Sequence, residues 1–415
     1  VGNFFDVNQT NKLKIFNDPI YGFISVPNDL VYDLIQHSYF QRLRRITQMG
    51  LSYLVYPGAH HTRFHHALGC LHNMQKAVST LKMKGVEISQ EEENALYIAI
   101  LLHDIGHGPF SHAMEHSIVE GVGHESISLK LMEVLNHEFN GKLSLAIQVF
   151  KGEYHRKFMY QLISSQLDMD RMDYLKRDSF YSGVAEGNIN SDRLIQMLHV
   201  VDDTLVLEEK AIYSVEKFLM ARRLMYWQVY LHKTSLAAEL ILTKTLKRAK
   251  ELSLLGQTLP ASQSLNFFLQ NIVTENTFDS NTLNLFANLD DIDILGALKE
   301  WIHHDDFVLS SLSKMIIHRD LPKIVISDQK LDANHINDIK EKVAKAYKIT
   351  ILEAEFFVMN GKIKNQAYKK KDFPIMIVLK NKTVIPIEKL SDQLNSVAFS
   401  KSITKFYLCF PKMLT

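Results

Sequence analysis

The chain has 415 residues, enough for two or three domains at about 100–200 residues each. It carries 47 Lys+Arg against 46 Asp+Glu, a formal charge of +1, and 46% apolar residues. That composition excludes a largely disordered chain and argues against one built mainly to coat nucleic acid or an acidic membrane, although a local basic pocket for phosphate remains compatible with it. Two cysteines, Cys70 and Cys409, support neither a disulfide framework nor a thiolate zinc site. No apolar run reaches the roughly 18 residues of a membrane span, and the N-terminus lacks a basic-then-apolar signal pattern. The expectation is a cytoplasmic protein with no membrane partner.

In chain order, residues 14–30 read as short extended pieces punctuated by Asn17-Asp18-Pro19 and Pro27-Asn28-Asp29. Helical periodicity begins at Asp29, with Leu30, Leu34 and Ile35 on one face. Helices are predicted over about 64–83 and 91–103; the second is apolar almost all round from Ala95 to Leu102, the mark of a buried helix. Gly106, Gly108 and Pro109 break the chain, and Pro109 suits the first turn of a following helix. Helical periodicity resumes over 124–139, 156–177 and 191–198. Val200-Val201 and Leu205–Leu207 flank Asp202-Asp203, which predicts a hairpin over 199–213. Long helices are expected over 214–255 and around 262–318. Beyond about residue 321 the pattern predicts strands at Lys323–Ser327, Glu355–Met359, Pro374–Leu379 and Lys405–Cys409, with helices at 332–346 and 388–395. The fold class is therefore mainly α: a multi-helix body over 1–320 with a short β-hairpin, followed by a small C-terminal α+β domain over 321–415.

Nineteen histidines are present, crowded between His60 and His137, and histidine ligates metal, moves protons near neutral pH and hydrogen-bonds phosphate. Three segments carry ligand-type side chains: Thr62–Gly69 with His65-His66, Leu102–His112 with His103-Asp104, and Leu167–Tyr174 with Asp168, Asp170 and Asp173. A charged Asp104 at the end of an apolar helix is costly unless a cation or good hydrogen bonds meet it. A mixed imidazole and carboxylate set without thiolates suits Mn, Fe, Zn or Mg and leaves positions open for water and substrate. Taken alone, His103-Asp104 reads sooner as a helix cap and the start of the next turn than as a ligand pair.

The order His, His-Asp, Asp on successive helices resembles the ligand set of the HD phosphohydrolase superfamily. Further stretches are similar to its deoxynucleoside triphosphate triphosphohydrolase branch: Asn17–Gly22, Phe40–Arg44, Tyr56–Phe64, His103–His112, His124-Glu125, Asp168–Asp178 and Tyr230–Lys233. They span roughly residues 14–235. The resemblance implies an HD-domain body in which His66, His103, Asp104 and Asp170 hold one divalent metal ion (Mn, Fe, Zn or Mg). It implies His107, His112, Glu115 and His124 as catalytic groups on the phosphate side, with Glu115 standing where the family usually has Asp. Arg63, Arg171 and Arg222 would grip the triphosphate, with Arg171 where the family often has Lys, since guanidinium forks match phosphate oxygens. Gln48, Tyr174, Asp178 and Tyr230 would form the sugar end. The implied reaction is water attack on the α-phosphorus, giving a deoxynucleoside and inorganic triphosphate. Lys14, Asn17, Gln41, Arg44, Arg319 and Lys323 match positions where relatives bind an activating nucleotide between subunits, and Gln36 replaces a base-reading Asp there. A homo-oligomer, dimer or tetramer, is expected, with a nucleoside triphosphate as substrate and a nucleotide activator as a further partner; nucleic acid is disfavoured. The competing readings are another HD-type nucleotide phosphohydrolase and a non-catalytic nucleotide sensor.

Overall fold

The structure, a computed structural model, describes residues 14–110, 114, 117–119, 121–365, 368, 374–391 and 402–414. The chain opens with an antiparallel hairpin, β1 (Ile15–Asp18) and β2 (Gly22–Ser25). Asp18 closes its turn by accepting the Ile20 and Tyr21 backbone N–H groups on Oδ1. Helix α1 (Asp29–Gln36) follows, capped by the Asn28 side chain. The central helices are α2 (Arg63–Met83) and α3 (Gln90–Leu102), which pack against each other. In α3 every residue from Ala95 to Leu102 is buried, as its all-round apolar sequence requires.

The continuous helix expected over 156–177 is corrected to two, α6 (Lys157–Ile163) and α7 (Met169–Ser182), which follow α4 (His124–Glu138) and α5 (Ser144–Lys151). Asp168 accounts for the break. Its Oδ1 accepts the Arg171 N–H at 2.8 Å and its Oδ2 the Ser165 N–H at 2.7 Å. A buried cap that satisfies start-of-helix donors outweighs continued periodicity. The break is hidden in the sequence because Ile163 and Leu167 stay in phase. Helix α8 (Ser191–Gln196) leads into the predicted hairpin, β3 (Leu198–Val201) and β4 (Thr204–Glu208). Asp202 and Asp203 both have positive φ, 47° and 58°, the two-residue turn whose twist matches that of paired strands.

The region 214–255 forms α9 (Ile212–Met225), a π-turn at Tyr226–Tyr230 and α10 (Lys233–Leu254). The expected helical stretch 262–318 resolves into α11 (Gln263–Gln270), α12 (Ser280–Ala287), α13 (Asp291–Trp301) and α14 (Phe307–Ile317). After β5 (Lys323–Ser327) and α15 (Ala333–Tyr347), the strand expected at Glu355–Met359 is also corrected. Thr350 and Glu353 form a capping box that starts a one-turn helix at Ile351–Ala354, and β6 runs only from Met359 to Asn365. Strands β7 (Met376–Val378), β8 (Val384–Pro386) and β9 (Ile403–Phe410) complete two sheets, ordered β3-β4-β7-β8 and β5-β9-β6. The helix expected at 388–395 is a short 3-10 turn at Ile387–Lys389 as far as the described residues reach. Strand pairing crosses the expected boundary at residue 320: β7 pairs in parallel with β4, Leu207 opposite Ile377.

Asp291 fastens two loops that matter below. Its Oδ2 accepts from Thr47 N and Oγ1 at 2.8 and 2.7 Å, and its Oδ1 from Phe110 N at 2.7 Å. Burial pushes this carboxyl up to about 6 against those donors. A carboxyl raised above its unfolded value of about 4 keeps its proton in the folded state while the unfolded state loses it. Its contribution to stability therefore falls as pH rises through that window and is flat above it, a change of up to about 3 kcal/mol. We expect urea unfolding of wild type and Asp291→Asn to show a stability gap that moves in the variant's favour by up to that amount between pH 4 and pH 7; a gap independent of pH would contradict it.

Candidate active site

Three helix ends bring the ligand-type side chains together. Helix α2 starts at Arg63 and points His66 inward one turn later; α3 ends at Leu102, capped by His103 and followed by Asp104; α7 starts one residue before Asp170. His66 Nε2 lies 3.1 Å from Asp170 Oδ1 and 3.7 Å from Asp104 Oδ2. His103 Nε2 lies 3.4 Å from Asp104 Oδ1 and 3.6 Å from Asp170 Oδ1. The outer nitrogens are tied elsewhere: His66 Nδ1 to Asp173 Oδ2 and His103 Nδ1 to Ile100 O, both at 2.7 Å. Both Nε2 atoms therefore face one centre, and His103 Nε2 is buried without a hydrogen-bond partner. Donors about 2.0–2.2 Å from one ion stand roughly 3.0–3.5 Å apart, so the four residues fit a divalent cation.

Two neighbours complicate the set. Arg63 donates to Asp104 Oδ2, so that oxygen already carries a cationic partner. Cys70 Sγ lies 3.6 Å from both ring nitrogens of His66, and the buried His66 and Cys70 with the half-buried His103 and Asp170 offer donor atoms within 4.8 Å of one another. A sulfur equidistant from both nitrogens sits off the lone-pair axis of either, and burial pushes its thiol up. We read it as packing against the ring. Burial raises the Asp170 carboxyl, but the His103 and His66 imidazoles that face it outweigh burial and hold the group far below the usual range. Asp104 behaves alike, with His107, His103 and Arg63 opposing burial.

The chain after α3 needs Gly106: a Cβ there would stand 2.3 Å from both the His124 carbonyl oxygen and the Ser128 nitrogen. That contact lays α4 against the turn, and the His107 ring stacks on His124 at 4.0 Å. His107 Nδ1 is 3.3 Å from Asp104 Oδ1. The fully buried Arg42 donates to the carbonyls of Ile105, His107 and Leu289, fixing the same turn from behind. His112 and Glu115 lie outside the described residues.

Beside the cluster opens a cavity of about 390 Å³ whose lining includes Gln48, Arg63, Tyr174, Asp178, Tyr226 and Tyr230. Gln48 Oε1 is buried with no partner. Asp178 accepts from Tyr230 Oη at 2.7 Å and pairs with His61 Nε2 at 2.7 Å. Arg171 and Arg222 do not line this cavity. Arg171 is paired with Asp168, while Arg222 donates to Gln166 Oε1 at 3.3 Å and faces the Tyr226 ring. The activator-type positions fall in two groups. Arg44 stacks on Phe64 and donates to Gln41, Lys14 lies over Tyr32, and Asn17 belongs to β1. Arg319, which donates to the Leu54 carbonyl, and the exposed Lys323 lie farther along the chain, with Gln36 ending α1.

Sequence reasoning assigned no role to His61, Asp173, Arg177 or Asp291. Asp173 and Arg177 carried a usable signal: they follow Asp170 at i+3 and i+7 on one helix face. Asp291 carried none.

Residues 63–178 match the HD domain family and residues 189–259 the HD associated region. A crystal structure of a phosphohydrolase from Bacteroides thetaiotaomicron superposes with a TM-score of 0.94 at 51% identity, covering 97% of this chain and 100% of that one. The chain belongs to the HD-domain phosphohydrolase family. The uncharacterized Bacillus subtilis protein YwfO is 31% identical over 421 residues, 98% of this chain and 94% of that protein. A Dictyostelium discoideum protein named deoxynucleoside triphosphate triphosphohydrolase SAMHD1 homolog is 28% identical, over 88% of this chain and 71% of that protein. Similarity to both proteins extends over most of the chain. HD domains bind divalent metals, which agrees with the buried imidazole–carboxylate cluster. Among the described residues, no helix is long and apolar enough to cross a membrane.

Proposed function

We propose that this HD protein hydrolyses deoxynucleoside triphosphates to deoxynucleoside and inorganic triphosphate, with His66, His103, Asp104 and Asp170 holding one divalent ion. One observation carries the reading: Arg63 lines the cavity and its guanidinium also holds Asp104, so a triphosphate in the cavity has its phosphates directed at the cluster. When bound, the ion supplies charge to a phosphate oxygen and lowers the pKa of a water. Arg63 orients the phosphates with its forked donors. His107, stacked on His124 beside Asp104, is placed to take up or return a proton; His112 and Glu115 would share that work on the resemblance alone. At the far end Gln48 Oε1 offers an acceptor to a 3′-hydroxyl. The Tyr230 ring, held by its bond to Asp178 and set edge-on to Tyr174, closes the sugar end against a 2′-hydroxyl. Arg171 and Arg222 would add positive charge from behind the cavity wall rather than grip phosphate directly. We extend the proposal to a homo-oligomer with a nucleotide site around Lys14, Asn17, Gln41, Arg44, Arg319 and Lys323, and to a helical unit 1–320 that carries the chemistry.

The test is product analysis of protein loaded separately with Mn, Fe, Zn or Mg, given each deoxynucleoside triphosphate singly and mixed, with ribonucleotide controls and Asp104→Ala. The expected result is deoxynucleoside plus triphosphate, absent in the variant. Equal cleavage of monophosphates would replace the substrate class, and binding without turnover under every combination would make the protein a nucleotide sensor.

A further inference from the structure

Behind His66 runs a chain of buried charges that none of the roles above uses. His66 Nδ1 donates to Asp173 Oδ2 at 2.7 Å. Arg177 grips the same carboxylate with Nε at 2.9 Å and a terminal nitrogen at 3.0 Å. Its other terminal nitrogen donates at 2.8 Å to Asp18 Oδ2. Asp18 then ends the chain on the backbone of the β1–β2 turn through Oδ1. All four residues are buried. Gly69 leaves the room they occupy, since a Cβ there would lie 1.9 Å from Asp173 Oδ1. Four side chains thus connect the N-terminal hairpin to an imidazole whose Nε2 faces the metal centre.

A carboxylate behind a ligating imidazole fixes the tautomer that leaves Nε2 free and raises its basicity. How fully Asp173 does so depends on what else competes for it. Arg177 divides its charge between two carboxylates; without Asp18 that charge falls on Asp173 alone and draws its electron density away from His66. The geometry points to Asp18 as a remote positioning residue of the metal centre, acting through Arg177 and Asp173 on His66, so that metal affinity depends on how the hairpin is seated. This rests on the reading that the cluster binds a divalent ion.

The experiment measures Mn dissociation constants for the full chain by calorimetric titration after chelator treatment, without substrate, for wild type, Asp18→Asn, Asp173→Asn and the double variant. Asp18→Ser is a second test of the same position, since a Ser hydroxyl also closes such turns. The exposed Phe23→Ala on the same hairpin is the control. Removing a group behind a metal ligand weakens binding about 10–100-fold. That range is expected for Asp173→Asn, with about 3–10-fold for Asp18→Asn and Asp18→Ser, no change for Phe23→Ala, and no further loss when Asp18→Asn is added to Asp173→Asn, because both act on one path. Wild-type affinity in the Asp18 variants, or an undiminished Asp18 effect in the Asp173→Asn background, overturns the relay while leaving the metal site standing. Should the wild type bind no Mn, the same series is titrated with Fe, Zn and Mg, and binding of none of them removes the metal reading and the relay together.

Discussion

Asp170→Ala is expected to lower turnover by at least about 10³-fold, roughly 4 kcal/mol of lost transition-state stabilisation, with no loss of folded protein. Asp170 Oδ1 lies 3.1 Å from His66 Nε2 and 3.6 Å from His103 Nε2. Removing it takes away the anion around which both imidazoles are set. Helix α7 does not depend on it, because Asp168 provides the cap. Asp104, Asp168 and Asp173 are buried carboxylates nearby, but the pairing of Asp170 with the two imidazoles outweighs their repulsion and holds its carboxyl well below the usual range. The melting temperature before metal loading should therefore fall somewhat, because the pairing with both imidazoles is lost, while the increase produced by added metal should disappear. Turnover above a tenth of wild type, or a metal-free protein that no longer folds, would count against the assignment.

The second large effect is on stability. Gly69→Ala would put a Cβ 1.9 Å from Asp173 Oδ1 and 2.3 Å from an Arg177 nitrogen. Neither neighbour can yield, since both belong to a fully buried ion pair that also serves His66 and Asp18. Breaking a buried pair costs about 3–5 kcal/mol, and we expect a loss of that size in urea unfolding. Gly296→Ala is the natural comparison. It sits inside α13 with open space where its Cβ would go, so the change should be neutral or stabilising by about 0.5–1 kcal/mol. Equal behaviour of the two variants would mean that the packing around Asp173 is softer than the distances indicate.

The sequence made the helical body legible because burial there is periodic: the apolar run in α3 and the turn signals at Asp202-Asp203 are local facts. It hid the break before α7, where the apolar phase continues across a capping carboxylate. The residues proposed as metal ligands could be named through the resemblance of their order and spacing to a family pattern. Asp18 and Asp291 could not be given a role from sequence. Their significance lies in partners 159 residues away for Asp18 and 181 and 244 residues away for Asp291, and nothing in an isolated Asp announces such a partner. Arg171 and Arg222 show the converse. Their charge suggested phosphate, but nearby groups, Asp168 for one and Gln166 with Tyr226 for the other, already engage them.

The parallel pairing of β4 with β7 has a consequence during synthesis. Val206 and Leu207 are presented early, yet their partners Met376 and Ile377 emerge from the ribosome some 170 residues later. Until then β4 is an apolar strand with one open edge, the kind that other chains can pair with. Closing a loop of that length is also a slow route to a native contact. Nascent or prematurely terminated chains lacking residues beyond about 370 would therefore expose this edge, making it the place where chaperone capture or self-association would begin.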